Sequence, residues 1–326
     1  MASDLDTTEP QLPLARYFFQ YRTEGELRLP PYPGGLWHGV FGARLRALSC
    51  VMPAGTVCRG CALLHHCAYS LLFSGPRPPD ALLMRRYDTI PVPHVFQIDP
   101  ATRAVIPAGE SLRVALVLVG TANDRLPLVI QTLADAGLEG LGATRTRAIL
   151  LEVIQELPDG STQRVASQGR LSTPLPPVPP MTPPLPAAVH IRILSPYKSG
   201  VARGPADAFD PGAMLMAILR RCSLLQYFYT GRLLEAPFVE LKAASARVRV
   251  IDSSLRPEVA SRYAARHGQR VPTGGLIGEL VLDPDGLEAL WPYLHLGQWL
   301  NVGKNASMGF GRYRLTAPHA PAHPPS

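Results

Sequence analysis

Apolar and polar residues in the first half of the chain follow two periods, one typical of strands and one typical of helices. The aromatic stretch 14–22 predicts a strand, and Trp37 and Phe41 share the apolar face of a predicted helix. Asn123 or Asp124 is the predicted cap of a second helix. In order, the predicted elements are a strand at 14–22, a helix at 36–48, strands at 92–98 and 111–120, a helix that ends at 137, and a strand at 148–156.

The second half repeats this order of elements. Asp210 is predicted to cap its first helix and Pro211 to start it, while Asp283 caps a second helix that Pro292 kinks or ends. The strands are predicted at 189–194, 246–251, 275–282 and 312–315. Strand, helix, strand, strand, helix, strand is the ferredoxin-like βαββαβ order. The pattern therefore predicts an α+β protein of two tandem ferredoxin-like, RRM-type domains with a small cysteine-rich insertion.

A proline-dense segment at 172–187 lies near the middle of the chain. Proline lacks the amide donor that a helix or a central strand needs, so we expect an extended, semi-rigid connector. The predicted organisation has a first domain at 11–171 with its insertion at about 50–73, the linker, a second domain at 188–316 and a flexible tail at 317–326.

Charge and composition narrow the range of partners. The chain has 32 Lys and Arg against 25 Asp and Glu, a formal net charge of +7, and 46% hydrophobic residues. It can bury substantial cores, and its positive charge suits a polyanion without identifying one. No apolar run has the length of a membrane span, and residues 1–10 are acidic and polar rather than signal-like, so we expect a cytoplasmic protein without a membrane partner.

The C-terminal run GKNASMGFGRY at 303–313 is rich in glycine. Three glycines, Gly303, Gly309 and Gly311, with Lys304 among them, allow a backbone to approach a phosphate chain, although such loops commonly only turn the chain. A P-loop needs its glycines before a Gly-Lys-Ser/Thr triplet that opens a helix. Here Gly-Lys comes first and a strand follows, which disfavours an ATPase.

Four of the five cysteines fall in one window. In a reducing cytoplasm a Cys-x2-Cys pair with two flanking cysteines favours a tetrahedral thiolate site, with zinc as the natural metal. His65 or His66 is an alternative to one thiolate, and four reduced cysteines packed as small hydrophobes are the other interpretation. Because no carboxylate cluster accompanies them, a bound metal is expected to be structural. The proposed ligands are Cys50, Cys58, Cys61 and Cys67.

Several segments together resemble the CRISPR-associated pre-crRNA processing endoribonucleases of the RAMP superfamily. They are GGLWHGVFGARLR at 34–46, CAYSLLF at 67–73, IRILSP at 191–196, SRY at 261–263, GGLIGE at 274–279 and the glycine-rich run. They occur in the family's order and span most of the chain.

The resemblance implies two ferredoxin-like domains that bind CRISPR repeat RNA and cut it once per repeat without a metal cofactor. The ribose 2′-hydroxyl attacks the adjacent phosphate and leaves a 2′,3′-cyclic phosphate, and the protein then stays with the crRNA and other effector subunits. A non-catalytic crRNA-binding RAMP subunit is the alternative. A third reading is a cysteine-metal protein of unrelated role.

Histidine suits the proton transfers of this reaction because its pKa lies near neutrality. His38, at the start of the first predicted helix, is the first catalytic candidate, and its other reading is a partly buried histidine beside Trp37. Arginine can clamp a phosphate and stabilise the transition state. The catalytic arginine candidates are Arg22, Arg44 and Arg46.

Further cations and the glycine-rich run form the predicted RNA-binding set, each position also being explicable as a solvated surface charge or, for the glycines, a turn. The resemblance supports two of them locally, Arg262 and Arg266. The full set is Arg145, Arg147, Lys198, Arg203, Arg220, Arg221, Arg262, Arg266, Gly303, Lys304, Gly309 and Gly311.

Overall fold

The computed structural model describes residues 9–53, 55–200, 209–264 and 269–316. The strands of the first half are β1 (Leu14–Thr23), β2 (Leu27–Arg28), β3 (His94–Gln97), β4 (Val105–Ile106), β5 (Ser111–Val119), β6 (Ala148–Glu156), β7 (Thr162–Ser167) and β8 (Arg170–Leu171). Those of the second are β9 (Val189–Tyr197), β10 (Val250–Ser253), β11 (Arg256–Glu258), β12 (Ser261–Ala264), β13 (Gln269–Pro272), β14 (Gly275–Leu282) and β15 (Tyr313–Thr316). The helices are α1 (Gly34–Ser49), α2 (Leu126–Glu139), α3 (Pro211–Thr230), α4 (Phe238–Ser245) and α5 (Trp291–Leu300).

The first sheet has the strand order β3-β5-β1-β6-β7-β8, with antiparallel neighbours throughout. Along β1 every second side chain is buried, and Tyr17, Phe19 and Tyr21 pack in one cluster with residues of α1 and α2. This alternation places the helices on one face of the sheet and leaves Arg16 and Phe18 on the other. In sequence order, β1, β3, β5 and β6 are the four strands of a ferredoxin-like unit. Their order across the sheet, β3-β5-β1-β6, is that of the ferredoxin-like fold.

The second sheet has the same order, β10-β14-β9-β15, and β11 also pairs with β14. Strands β12 and β13 form a separate hairpin, as do β2 and β4. The predicted α+β class with two ferredoxin-like units is therefore confirmed. The domain boundaries stay a prediction.

Two of the predicted caps have different outcomes. The Asp210 side chain accepts a hydrogen bond from the Ala213 amide at 3.0 Å, and Pro211 begins α3, as expected. The predicted cap of α2 is wrong, because a 3-10 helix at Gly120–Arg125 precedes it and Arg125 occupies the cap position without a side-chain bond. The Asn123 amide instead bonds the Leu118 and Gly120 carbonyls and accepts from Tyr17.

Three predictions in the second half are also wrong. Asp283 does not cap the second helix, because residues 285–290 form turns and α5 begins only at Trp291, with Leu290 at the cap position. Pro292 stands in the first turn of α5, where its missing amide costs no hydrogen bond, so it starts the helix rather than ending it. The predicted strand at 246–251 begins only at Val250, since α4 ends at Ser245 and its last carbonyls accept bonds from the amides of residues 246 and 247.

The proline-dense segment is bonded to both halves. The Val178 carbonyl accepts from the Leu14 amide at 3.1 Å, and Gln155 exchanges two hydrogen bonds with the backbone of Leu175. The indole of Trp291 donates to the Pro183 carbonyl at 2.6 Å. The segment therefore lies against the protein instead of spanning open solvent.

One hydrophobic cluster joins the two halves. It contains Leu14, Val117 and Val119 of the first sheet together with Ile191, Leu280 and Leu294 of the second half.

Within the described ranges, no helix has the length and apolar character needed to cross a bilayer.

Candidate active site

A cleft of about 1030 Å³ opens beside the first turns of α1. His38 lines it, together with the segment that follows α1, the irregular stretch 73–89 and Met308 of the glycine-rich loop. The Cα of Gly34 touches that loop so closely that a Cβ there would lie 2.1 Å from the Met308 carbonyl oxygen. Residues from both ends of the chain thus meet at one cleft.

His38 lies among aromatic rings. Its imidazole centroid is 4.5 Å from that of Phe73 and 5.3 Å from that of His94. Phe73 reaches this position by crossing α1 at Gly42, where a Cβ would lie 2.2 Å from the Phe73 ring. Glycine at position 42 therefore allows Phe73 to hold one side of the His38 ring.

His94 is fully buried on β3. Its Nδ1 lies 2.8 Å from the Leu72 carbonyl oxygen, which can only accept, so Nδ1 carries the proton. Its Nε2 has no hydrogen-bond partner among the described residues. Burial, and then the proximity of His38, hold the pKa of His94 well below its usual value. The ring behind His38 is thus neutral.

The glycine-rich loop uses its glycines for contacts within the protein. Gly303, Gly309 and Gly311 all have positive φ, of 86°, 86° and 63°. A Cβ would lie 2.4 Å from the Lys198 carbonyl oxygen at Gly303 and 1.8 Å from that of Val302 at Gly311. These glycines allow the loop to pack closely against the neighbouring backbone. Lys304 is exposed on the loop.

The structure separates the three arginines predicted to be catalytic. Arg46 lines the cleft, donates to the Thr56 carbonyl and lies 5.7 Å from the Tyr69 ring. Arg44 instead forms ion pairs with Asp135 at 3.0 Å and with Glu139, both on α2. Arg22 is exposed at the end of β1 and is not among the cleft residues. Of these three arginines, only Arg46 lines the same cleft as His38.

The predicted RNA-binding cations are also scattered. Arg145 and Arg147 are exposed, and Arg147 pairs with Glu24 at 3.4 Å. Lys198 and Lys304 are exposed neighbours, since the Lys304 amide donates to the Lys198 carbonyl at 3.0 Å. Arg262 lies on β12, and Arg203 and Arg266 lie outside the described residues.

Arg220 and Arg221 differ although they are adjacent. Arg220 is exposed and lies 6.0 Å from the ring of Tyr87, a cleft residue. Arg221 points inward, and its Nε donates to the Leu300 carbonyl at 2.9 Å. Burial lowers the pKa of its guanidinium to about 10, and its Nη2 is buried without a partner in the described structure. A surface role for Arg221 in RNA binding does not fit this placement.

The sequence analysis missed several residues of the cleft. His65 entered only as a metal candidate, yet it lines the cleft with Arg77, Arg85 and Tyr87. Arg85 and Tyr87 could have been found from the run MRRY at 84–87, which is a basic and aromatic sequence inside an irregular segment. Loops of this kind commonly carry functional residues.

A second, smaller groove of about 280 Å³ has arginines from both sheets. Arg113 lies 3.9 Å from the Phe18 ring and Arg16 lies 4.1 Å from the Trp299 ring. Burial lowers the pKa of Arg312 to about 10, and nearby Arg314 and Arg16 add to the effect. The arginines of this basic groove are Arg16, Arg103, Arg113, Arg312 and Arg314.

The four cysteines of the insertion line one pocket of about 20 Å³. In the described ranges, no three His, Cys, Asp or Glu side chains are already gathered as a metal site. Cys222 is separate from them and fully buried in α3.

Comparisons with known proteins agree with this fold. The family model AF_1859_N, an N-terminal domain, matches residues 12–178, and the model of the CRISPR-associated endoribonuclease Cas6 matches residues 191–313. No curated protein sequence matches the chain.

Three solved structures are similar over nearly the whole chain. Thermus thermophilus Cas6 (TTHB231) in a product complex is 15% identical with a TM-score of 0.57, covering 93% of this chain and 99% of that one. Cas6 (TTHA0078) in a product complex is 19% identical with a TM-score of 0.50, covering 94% and 100%. A chain of a partial Cas6-RT-Cas1–Cas2 complex is 16% identical with a TM-score of 0.51, covering 97% of this chain and 48% of that one.

The two family models together cover both ferredoxin-like units, and the solved structures share their arrangement. Residues 191–313 therefore form a domain of the CRISPR-associated endoribonuclease Cas6 family, and the chain is a RAMP-type CRISPR-associated protein.

Proposed function

We propose that this protein cleaves CRISPR repeat RNA in the cleft beside α1, with His38 as the catalytic histidine. The observation that carries the proposal is the meeting of His38, Arg46 and the glycine-rich loop at one cleft large enough for a nucleotide and its flanking phosphates. The match of residues 191–313 to the Cas6 family model suggests the substrate class.

The proposed reaction is a transesterification. The O2′ atom attacks the adjacent phosphorus, the P–O5′ bond breaks, and the products carry a 2′,3′-cyclic phosphate and a 5′-hydroxyl. One group accepts the O2′ proton and another protonates O5′. His38 takes one of these roles, and His65, which lines the same cleft, is the candidate for the other.

Cations at the cleft would stabilise the negative charge that develops on the phosphate. Arg46 is held in place by Thr56 and Tyr69, and Arg85 is exposed at the same cleft. Among the described lining residues the carboxylate is Asp88, which pairs with Arg59. This donor set favours histidine and arginine chemistry, so we propose that cleavage is independent of a metal ion.

The basic groove would hold the RNA backbone beyond the cut. Arg16 and Arg113 come from β1 and β5, and Arg314 comes from β15, so an RNA strand lying there contacts both halves. Because arginines of both halves would contact the RNA phosphates, the product would stay bound after cleavage. We propose that the protein then remains with the crRNA and other CRISPR proteins.

The test is cleavage of a CRISPR repeat RNA from the same genome in excess EDTA, beside the same RNA with a 2′-deoxy substitution at the cut site. We expect cleavage of the first RNA alone. His38→Ala should lower the rate by about 10²-fold or more, whereas His190→Ala, on β9 and outside the cleft, should not.

Each other outcome has a definite meaning. Cleavage of the deoxy substrate, or a requirement for a divalent ion, would exclude the proposed chemistry. Tight binding of repeat RNA without any cleavage would support the alternative, a non-catalytic crRNA-binding subunit. Equal rates for His38→Ala and wild type would remove His38 from the mechanism.

A further inference from the structure

The segment between α1 and β3 begins with a stretch that has almost no core of its own. The described residues between Cys50 and Cys67 contain turns but neither α-helix nor strand. Val51 and Val57 are 80% and 72% exposed. So small an element buries too little apolar surface to hold one conformation, and small elements of this kind commonly use a metal or disulfides.

The four cysteines nevertheless line a single pocket, although their side chains are not gathered as a ligand set among the described residues. The Cys50 amide donates to the Arg46 carbonyl at 2.9 Å, which fixes Cys50 at the end of α1. The Cys67 Sγ lies 3.9 Å from the carbonyl oxygen of Ser49, the residue next to Cys50. Cys58 and Cys61 line the same 20 Å³ pocket as these two.

The Cys-x2-Cys pair is held in a tight turn. The Cys61 amide donates to the Cys58 carbonyl at 3.0 Å, and Gly60 has a φ of +84°. Glycine with positive φ at this third position is the signature of a type II turn. The turn brings the two thiols to one pocket, as the first pair of ligands in a structural zinc site requires.

The histidines of the segment do not compete for this pocket. His65 lines the His38 cleft instead, and His66 is exposed. None of the four cysteines forms a disulfide. Four thiolates complete the tetrahedral coordination of Zn²⁺ and leave no open position for a catalytic water.

We propose that Cys50, Cys58, Cys61 and Cys67 bind one structural zinc ion. Closing of the thiolates on the ion would couple metal binding to the ordering of this segment, as in other structural zinc sites. Thr56 and Cys58 of the same segment line the His38 cleft, so the ion fixes one wall of that cleft without entering the chemistry. Only this last consequence rests on the proposed function.

The test is elemental analysis of the full-length protein purified without chelator. We expect about one zinc per chain. Cys58→Ser and Cys61→Ser should lose the metal, while Cys222→Ala, at the buried cysteine of α3, should keep it. His65→Ala and His66→Ala should also keep it, which separates four-thiolate binding from a histidine ligand.

Cobalt substitution provides a second readout in case the serine variants fail to fold. The wild-type protein reconstituted with Co²⁺ should show the visible absorption of a tetrahedral four-thiolate site, and Cys61→His should keep the metal with the spectrum of three thiolates and one nitrogen. Wild-type protein from zinc-supplemented cells that contains no zinc, and whose melting temperature a chelator does not change, would overturn the proposal. Because these readouts do not use cleavage, they are independent of the proposed function.

Discussion

A neutral, buried histidine lies directly behind the proposed catalytic one. His94 donates from Nδ1 to Leu72, and its ring centroid is 5.3 Å from that of His38. A second positive charge at this distance would oppose protonation of His38. By remaining neutral, His94 supports the His38 ring without placing a second positive charge beside it.

This burial predicts a pH dependence of stability. The pKa of His94 is lowered in the folded protein, so below about pH 6.5 the unfolded chain binds a proton that the folded chain does not. Stability is therefore present above that pH and is lost as the pH falls, by up to about 1.4 kcal/mol per pH unit from this group. Denaturant unfolding at a series of pH values measures the slope.

The variant that tests this assignment is His94→Asn. Its amide can still donate to the Leu72 carbonyl but does not titrate, so the variant should be less stable overall and show a shallower loss below pH 6.5. Half-buried His295, whose pKa is also lowered by burial, would contribute the remaining slope. An unchanged slope would mean that His94 is protonated in the folded protein.

Two arginines on α1 give a matched comparison of position. Arg46→Ala removes a cation from the cleft and should slow cleavage by about 10²-fold. Arg44→Ala removes an ion pair with α2 and should change the free energy of unfolding by about 1 kcal/mol, with the cleavage rate unaffected. Single-turnover kinetics and denaturant unfolding of both variants provide the two readouts. A larger rate effect at Arg44 would reverse the assignment.

At the scale of elements, the glycine-rich loop depends on close backbone contacts. We expect Gly311→Ala to lower the free energy of unfolding by about 3 kcal/mol or more, because φ is positive and the new Cβ meets the Val302 carbonyl. Gly160→Ala also has positive φ but open space, and it should cost only about 1 kcal/mol. Denaturant melts of both variants separate crowding from backbone strain. Equal costs would show that the loop can move aside.

Periodicity predicted the elements well, while the local signals at their ends succeeded at Asp210 and Pro211 and failed at α2 and α5. The strands β1, β5, β6 and β14 and the helix α1 follow apolar patterns that the sheets and cores then use. The cap of α2 was not predictable because Asn123, in the preceding 3-10 helix, accepts a hydrogen bond from Tyr17, which is distant in sequence. Pro292 is compatible with the first turn of a helix as well as with its end, and the pattern did not choose between these positions.

A site residue could be predicted only where its position in a local element was sufficient to identify it. His38 could be chosen from its place at the start of α1, but the ion pairs of Arg44 and the inward direction of Arg221 depend on contacts far away in sequence. Adjacent arginines on a helix point about 100° apart, so one of the pair can be buried while its neighbour is exposed. The basic groove was missed because its arginines come from segments that are far apart in sequence.

At the scale of the whole molecule, the shared cluster makes the two halves one unit of stability. Buried residues of both sheets pack together in it, and the proline-dense segment bonds to both. We expect a single calorimetric transition in which calorimetric and van't Hoff enthalpies agree. Val119→Ala in the shared cluster and Val153→Ala in the first half's own core should both lower that one midpoint. Two resolved transitions would contradict this.

RNA binding should respond to salt through the basic groove. Arg314→Gln removes one of its cations and should reduce the slope of log Kd against log salt by about 1. Arg249→Gln, which removes an exposed arginine paired with Asp283 outside the groove, is the matched control and should leave the slope unchanged. Filter binding at several salt concentrations gives both slopes. Equal slopes for the three proteins would place the RNA elsewhere.

The common core also fixes the spacing of the groove. Arg16 and Arg113 belong to the first sheet, and Arg312 and Arg314 lie at or beside the last strand of the second. With both sheets packed into one cluster, the distance between these two sets of cations is established on folding rather than on binding. A rigid receptor of this kind loses little conformational entropy when a strand enters, and it rejects a backbone whose phosphates are spaced differently.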